Sequence, residues 1–480
     1  MSTLNQAQTT AVRELLRVAP VIDELGARFT AAGHELYLVG GSVRDALLGT
    51  LGHDLDFTTS ASPEQSEAIL RGLTDAVWDV GRAFGTIGAR YRADGSDWVI
   101  EITTFRADAY EPESRKPIVA FGDNITDDLV RRDFTINAMA LNVATNEFVD
   151  PHGGLTDLAA GVISTPSSPE VSFSDDPLRM MRAARFSSRL GFQVDPDVVG
   201  AMTDMADRIQ IVSVERVASE LNGLLLTDSP TAGLDLLVQT GIADRVLPEL
   251  PALRMELDEH GRHKDVYTHS LIVLDQAIAL EKIRGHAPDL VNRLAALLHD
   301  IGKPATRQFE GRKVTFHHHD VVGAKLAKKR LRALNYPGDV IASVCTLIEL
   351  HLRFHGYSDG EWTDAAVRRY VRDAGPELER LHMLTRADVT TRNVRKANRL
   401  ATAYEQLEWR IDLLAEQEEL DAIRPDLNGD QIMAILDIKP GRAVGEAYKF
   451  LLDLRMEHGP LSEDRATQEL KAWWAARGES

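Results

Sequence analysis

Hydrophobic and polar positions change rhythm about a third of the way along the chain. ELYLVGG (35–41), DLDFTT (54–59), TIGARY (86–91) and WVIEITTF (98–105) are short β-branched or aromatic runs and read as strands. NVATNEFVDPHGG (142–154) reads as two more short strands around a turn at Asn146. Helical spacing lies between and around them, as in TAVRELLRVAPVIDELGARFTAAG (10–33). Beyond GVISTP (161–166) nearly everything carries helical periodicity. Breaks fall at SSPEVSFSDDP (167–177), LPELPAL (247–253) and IRPDLNG (423–429), each rich in Pro, Gly or Asp. The pattern predicts an α/β head and a helical remainder, without internal repeats.

A length of 480 residues exceeds one ordinary core, so several domains are expected. No apolar run approaches the roughly 20 residues that span a bilayer, and the N-terminus lacks the apolar stretch of a signal peptide. Cys345 is the only cysteine, so no internal disulfide forms and a cytoplasmic protein is expected. The net charge of −19 opposes nonspecific nucleic-acid binding over the whole surface. It leaves room for a local basic track, either at Arg179, Arg182, Arg185 and Arg189 or in KLAKKRLRAL (325–334). The bland alternative for each is a solvated helix face.

The first candidate chemistry is LVGGSVRDALLG followed by HDLDFTT. A buried strand enters two glycines, then a helix beginning near Ser42. Glycines let backbone N–H groups approach a phosphate, and a helix N-terminus favours anions. Residues i and i+2 of a strand share a face, so Asp54 and Asp56 present two carboxylates side by side while Leu55 and Phe57 turn into the core. Such a pair repels itself unless a cation sits between. Mg²⁺ takes one or two carboxylates plus substrate phosphates, which suits in-line nucleotidyl transfer. The alternative is a solvent-facing strand carrying two acids.

GGSVRD with DLD resembles the polymerase-β-like nucleotidyltransferase superfamily and, more narrowly, the bacterial class II tRNA nucleotidyltransferase and poly(A) polymerase family. EITTFR (101–106), RRDFTINAMA (131–140), DPHGGLTDLAAG (150–161) and DDPLRMMRAARFSSRLGF (175–192) match in the family's order. The resemblance implies an α+β protein: a nucleotidyltransferase head with a mixed sheet, then a helical neck, body and tail. It implies catalytic, Mg²⁺-binding carboxylates at Asp54 and Asp56, with Glu101 as a third carboxylate or a plain strand acid. Nucleotide contacts are expected from Gly40, Gly41, Ser42 and Arg44, and from Arg131, Arg132, Asp133 and Asn137. Asp133 fixes an arginine or accepts from a ribose hydroxyl, and Asn137 bonds sugar or phosphate. The alternative for RRD is a helix N-terminus with Asp133 near a cap. Adjacent arginines point about 100° apart on a helix, so at most one is expected to reach a given phosphate.

In the neck, Asp176 and Arg179 stand three residues apart and share a helix face, which Arg182 continues toward Arg185. A carboxylate and a guanidinium together can offer acceptor and donors to a base edge. The family reads the incoming base with the second acid and the arginine of its EDxxR motif, which fall on Asp176 and Arg179. Asp175 stands where the family's glutamate usually is. A carboxylate accepts from the exocyclic amine of cytosine or adenine, whereas guanine and uracil offer a carbonyl there, a route to choosing CTP and ATP.

The body carries His269, then AALLHDIGK with His299 and Asp300, then FHHHD with His317 to His319, His351 and finally Asp388. The H…HD…D spacing resembles the HD phosphohydrolase superfamily. His269, His299, Asp300 and Asp388 suit a divalent transition metal, and His319 and His351 either complete a second metal or belong to a solvated loop.

The expected divisions are an N-terminal helix (1–27), the head (28–165), a neck and RNA- or nucleotide-recognition region (166–255), an HD-type body (256–400) and a tail (401–480). The expected activity is template-independent addition of C, C and A to the tRNA 3′ end from CTP and ATP. Rival readings are a poly(A) polymerase, an enzyme adding only CC or only A, an HD phosphohydrolase with an RNA-binding head, or an inactive tRNA-binding protein. Intact DLD and RRD oppose the last two.

Overall fold

A computed structural model describes residues 21–81, 85–93, 96–106, 122, 124–254, 265–310, 313–354, 362–391, 393–418 and 424–477. Most of the expected N-terminal helix, and the segment 107–121, lie outside these. The chain separates into two compact units, 1–248 and 249–480.

The N-terminal unit is built on a seven-stranded mixed sheet in the order β3-β4-β5-β2-β1-β6-β7. Its strands are β1 (Leu36–Val39), β2 (Asp54–Thr59), β3 (Ala76–Gly81), β4 (Thr86–Ala93), β5 (Ser96–Thr104), β6 (Ala140–Asn142) and β7 (Phe148–Val149). Only β2 and β5 pair in parallel, with Asp56 opposite Glu101. Strand β2 alternates as the sequence predicts: Leu55 and Phe57 are buried, Asp54 and Asp56 exposed. Burying two such side chains contributes roughly 3–6 kcal/mol, enough to fix the register that puts both acids on the other face. Asn146 adopts positive φ in the β6–β7 turn, as expected. Strand β3 went unpredicted; Trp78 on it is 37% exposed.

Helix α1 (Gly41–Leu48) follows β1, and α2 (Ile125–Val130) precedes the RRD segment. Tyr37, Val39, Phe105, Leu129, Ala138 and Ala140 form a buried cluster that seats α2 against the sheet. Next come α3 (Pro169–Asp175), α4 (Leu178–Leu190) and α5 (Val214–Leu225). The helical remainder has small exceptions: a parallel pair of two-residue strands, Val162–Ile163 with Gln193–Val194, and a hairpin, Gln308–Glu310 with Lys313–Thr315.

The C-terminal unit contains α6 (Val266–Ile283), α7 (Leu290–Leu298), α8 (His319–Ala333), α9 (Gly338–Leu350), α10 (Leu378–Ala387) and α11 (Val394–Glu418). Helix α11 runs through position 400. Glu281 on α6 accepts from Arg293 and Asn292 on α7, all three buried, which ties together the helices that carry His269 and His299. Leu427, Ile432, Ala447, Leu451, Ala466 and Leu470 make a separate core for the last three helices.

Candidate active site and metal cluster

A cleft of about 570 Å³ opens in the N-terminal unit. Gly40, Gly41, Arg44, Asp56, Glu101, Arg131, Arg132, Asp133, Asn137, Asp176, Arg179, Arg182 and Arg185 all line it, brought together from the sheet, the RRD segment and the neck helix. Ser42 lies beneath instead. Its hydroxyl accepts from the Asp56 N–H at 2.9 Å and faces the Asp54 carbonyl at 3.4 Å, so it pins the carboxylate strand to α1. Arg189, expected only as part of a basic track, also lines the cleft, as do Arg106 and Phe186, for which the sequence suggested no role. Eight arginines face four acids there, so a chain of net charge −19 has a cationic cleft.

The carboxylates crowd one another. Asp56 reaches solvent only through the cleft, whose enclosing walls push it up; Arg132 opposes this and Asp54 adds to it. Glu101 is pushed up by burial, then by Asp56 and Asp54. Asp56 and Glu101, paired across β2 and β5, together with Asp54 offer oxygen donors of the kind that fit a divalent ion. Gly40 has φ of 66°, and a Cβ there would lie 2.9 Å from Arg132 Nη1, so the turn needs glycine both for its backbone and for the guanidinium above it.

RRD lies between two helices: Arg131 caps the C-terminus of α2, and Asp133, which accepts from the Phe134 N–H and Asn137, sits just before a short 3₁₀ helix at Thr135–Asn137. Arg131 and Arg132 do not diverge, because both pair with the buried Asp128, each at 2.9 Å. Asp176 and Arg179 do not present a free helical face. Asp176 is extended and caps Leu178, and its other oxygen pairs with Arg216 at 2.7 Å. Arg179 is buried, donating to Ser172 and to the Arg131 carbonyl. Both still line the cleft, and Arg179 links the start of the neck helix to the RRD segment.

The remaining neck arginines are held as a set. Asp133 pairs with Arg182 at 3.0 Å and draws the Arg182 guanidinium's pKa up. Arg182 and Asn137 hold Asp133 low against the push of burial. Arg44 donates to Asn137 at 2.5 Å, and Arg185 pairs with Glu220 at 2.6 Å. The guanidinium carbons of Arg44, Arg182 and Arg185 lie 5.1, 5.8 and 4.5 Å from the Phe186 ring centre, within cation–π range. Asn137 thus bridges two side chains instead of facing a ligand alone.

In the C-terminal unit, His269, His299 and Asp300 converge on one point and Asp300, His319 and His351 on another. Asp300 is shared: Oδ2 lies 3.2 Å from His299 Nε2, and Oδ1 lies 3.2 Å from His319 Nε2. Asp388 Oδ1 is 3.0 Å from His269 Nε2. His299, His319 and His351 each place Nδ1 within 2.6–2.9 Å of the carbonyl three residues back, which makes Nδ1 the donor and turns Nε2 toward the cluster. His319 Nε2 is buried without a well-directed hydrogen bond. Burial pushes His351 down to about 4, and His299 reinforces this, so it is a neutral ligand. Asp388 and Asp300 lie well below the usual range, held there by the histidines despite burial. These donors fit divalent metal. Gly302 of HDIGK is required for closeness, since a Cβ would lie 2.0 Å from the His319 carbonyl. Of the three consecutive histidines only His319 faces the cluster; His318 takes positive φ and caps α8. A cleft of about 320 Å³ bordered by Thr268, His269, Thr390 and Thr391 opens beside it.

Sheet, carboxylates and arginine-lined cleft define a nucleotidyltransferase head followed by helical domains. Over 448 residues the chain is 33% identical to the A-adding tRNA nucleotidyltransferase of Deinococcus radiodurans, covering 91% of this chain and 95% of that one. The protein belongs to the tRNA nucleotidyltransferase and poly(A) polymerase family. Residues 36–164 match the poly(A) polymerase head domain, 191–253 the probable RNA- and SrmB-binding site of polymerase A, and 266–393 the HD domain. The CCA-adding enzyme of Leuconostoc mesenteroides is 37% identical over 249 residues, 52% of this chain and 58% of that one. The fold matches the Bacillus stearothermophilus CCA-adding enzyme in complex with CTP, with a TM-score of 0.65 at 23% identity over 97% of this chain and 99% of that one. No helix among the described residues is long and apolar enough to cross a membrane.

Proposed function

We propose that this chain adds C, C and A to the 3′ end of tRNA from CTP and ATP, working in the cytoplasm. The observation that carries the reading is the convergence in one cleft of Asp56, Glu101, the Gly40–Gly41 turn, Arg131, Arg132, Asp176 and Arg179. Mg²⁺ bound by Asp54 and Asp56, with Glu101 beside them, would supply nucleophile activation and charge neutralisation. The amides of the glycine turn and the two arginines bind and orient the triphosphate. Asp176 and Arg179 select the base, which requires Arg216 to yield its hold on Asp176. The test is incubation of purified protein with tRNA lacking CCA and each labelled NTP in turn. Incorporation of C, then A, and neither G nor U is expected; A-tails of open length would overturn the reading. A second reading, A addition alone, is favoured by the Deinococcus radiodurans alignment over nearly the whole chain. It predicts no labelled C on tRNA lacking CCA and a single A on tRNA ending in CC.

For the C-terminal unit the reading is a metal-dependent phosphoesterase holding up to two transition-metal ions, with Asp300 between them. Phosphate release from 2′,3′-cyclic and 3′-phosphate ends tests it, and should vanish in His299→Ala and Asp300→Ala while nucleotide addition continues.

A further inference from the structure

Asp128 escapes any motif-based reading because it precedes RRD and is wholly buried. It cannot touch a nucleotide. Its two oxygens nonetheless organise the cationic wall of the cleft. Oδ1 accepts from Arg131 Nη2 at 2.9 Å and from the Arg106 backbone N–H at 3.3 Å. Oδ2 accepts from Arg132 Nε at 3.2 Å and Nη2 at 2.9 Å. A guanidinium gripped by its Nε–Nη2 edge has one orientation left for its third nitrogen. That nitrogen, Arg132 Nη1, stands over the phosphate-cradling turn, 2.9 Å from where a Gly40 Cβ would lie. The Arg106 contact fixes the chain just beyond β5, the strand carrying Glu101.

We propose that Asp128 is a positioning residue that aims Arg131 and Arg132 at the β- and γ-phosphates of the incoming nucleotide. The inference rests on the reading of this cleft as a triphosphate site. Its logic is geometric. Arg131 at the end of α2 and Arg132 just beyond it are both drawn to the same carboxylate. The alternative is a buried ion pair that only stabilises the fold. The two differ in one respect: an aiming device matters in proportion to the phosphates a ligand carries.

The experiment measures equilibrium binding of CTP and of CMP to the full chain in Mg²⁺, for wild type, Asp128→Asn, Asp128→Glu and Arg132→Ala, with thermal unfolding of each. Asp128→Asn should weaken CTP by roughly tenfold to a hundredfold, as loss of charge-assisted hydrogen bonds does, and leave CMP within about twofold. Asp128→Glu keeps the charge but displaces the grip, so it should lose a smaller part of the CTP preference; it carries the test if Asp128→Asn does not fold. Equal losses for CTP and CMP, or no loss in folded Asp128 variants while Arg132→Ala loses the preference, would overturn the positioning role alone. An unchanged CTP preference in Arg132→Ala would overturn the reading of the cleft and this inference with it.

Discussion

The head cleft and the histidine cluster each bring carboxylates together, and they settle the repulsion in opposite ways. In the cleft, enclosure and mutual proximity push Asp56 and Glu101 up, and for Asp56 the opposing pull of Arg132 does not offset this. In the cluster, imidazoles lie 3.0–3.5 Å from Asp300 and Asp388 and hold both carboxyls down. The cleft acids are thus shifted toward the neutral form and the cluster acids toward the carboxylate. Oxygen donors facing an open cleft suit Mg²⁺, which keeps places for phosphate. Mixed nitrogen and oxygen donors with locked tautomers suit a resident transition metal.

The strongest way to break this contrast is to disable each site in turn. Asp56→Ala should lower CTP incorporation into tRNA lacking CCA by about a thousandfold or more, roughly 4 kcal/mol of barrier, and His299→Ala should leave it within about twofold. Equal collapse in both folded variants would mean one site, not two.

Metal analysis sharpens it next. After gel filtration without added metal, the wild-type protein should retain transition metal near one or two ions per chain and little Mg²⁺. Asp300→Ala should lose the retained metal and Asp56→Ala keep it. Retention in Asp300→Ala would break the assignment of a shared carboxylate.

The smallest effect concerns selection within the cleft. Asp176→Ala should cut the kcat/KM preference for CTP over UTP by tenfold to a hundredfold, about 1–3 kcal/mol. Arg216→Ala frees the same carboxylate and should leave that preference in place. Should Asp176→Ala slow both nucleotides equally, Asp176 serves the helix start rather than the base.

Local rules were enough for part of this picture. DLDFTT read correctly to the residue because hydrophobic alternation sets its face. AVWDVG did not, because Val77 and Trp78 are no more buried than a polar strand face requires. Motif order brought the cleft residues forward, yet their partners were invisible. Asp133 meets Arg182, and Asp176 meets Arg216, across 49 and 40 positions of chain, separations that only tertiary packing closes. The direction of Arg179 likewise depends on the carbonyl of Arg131. Among His317, His318 and His319, sequence could not choose; the left-handed turn at His318 chooses by starting α8 at His319.

The histidine cluster is also a meeting of helix ends. Helices α7, α9 and α10 finish on it, at His299, His351 and Asp388, whereas α8 starts at His319 and α6 brings His269 in its first turn. Five helices thus share one fastening, and each of the two candidate metal groups draws on two or three of them. A metal held there stabilises by mass action, about 4 kcal/mol at a thousandfold excess over its Kd. Removing a metal bound there would then loosen the helices that meet at it, so a chelator should lower the thermal stability of the C-terminal unit.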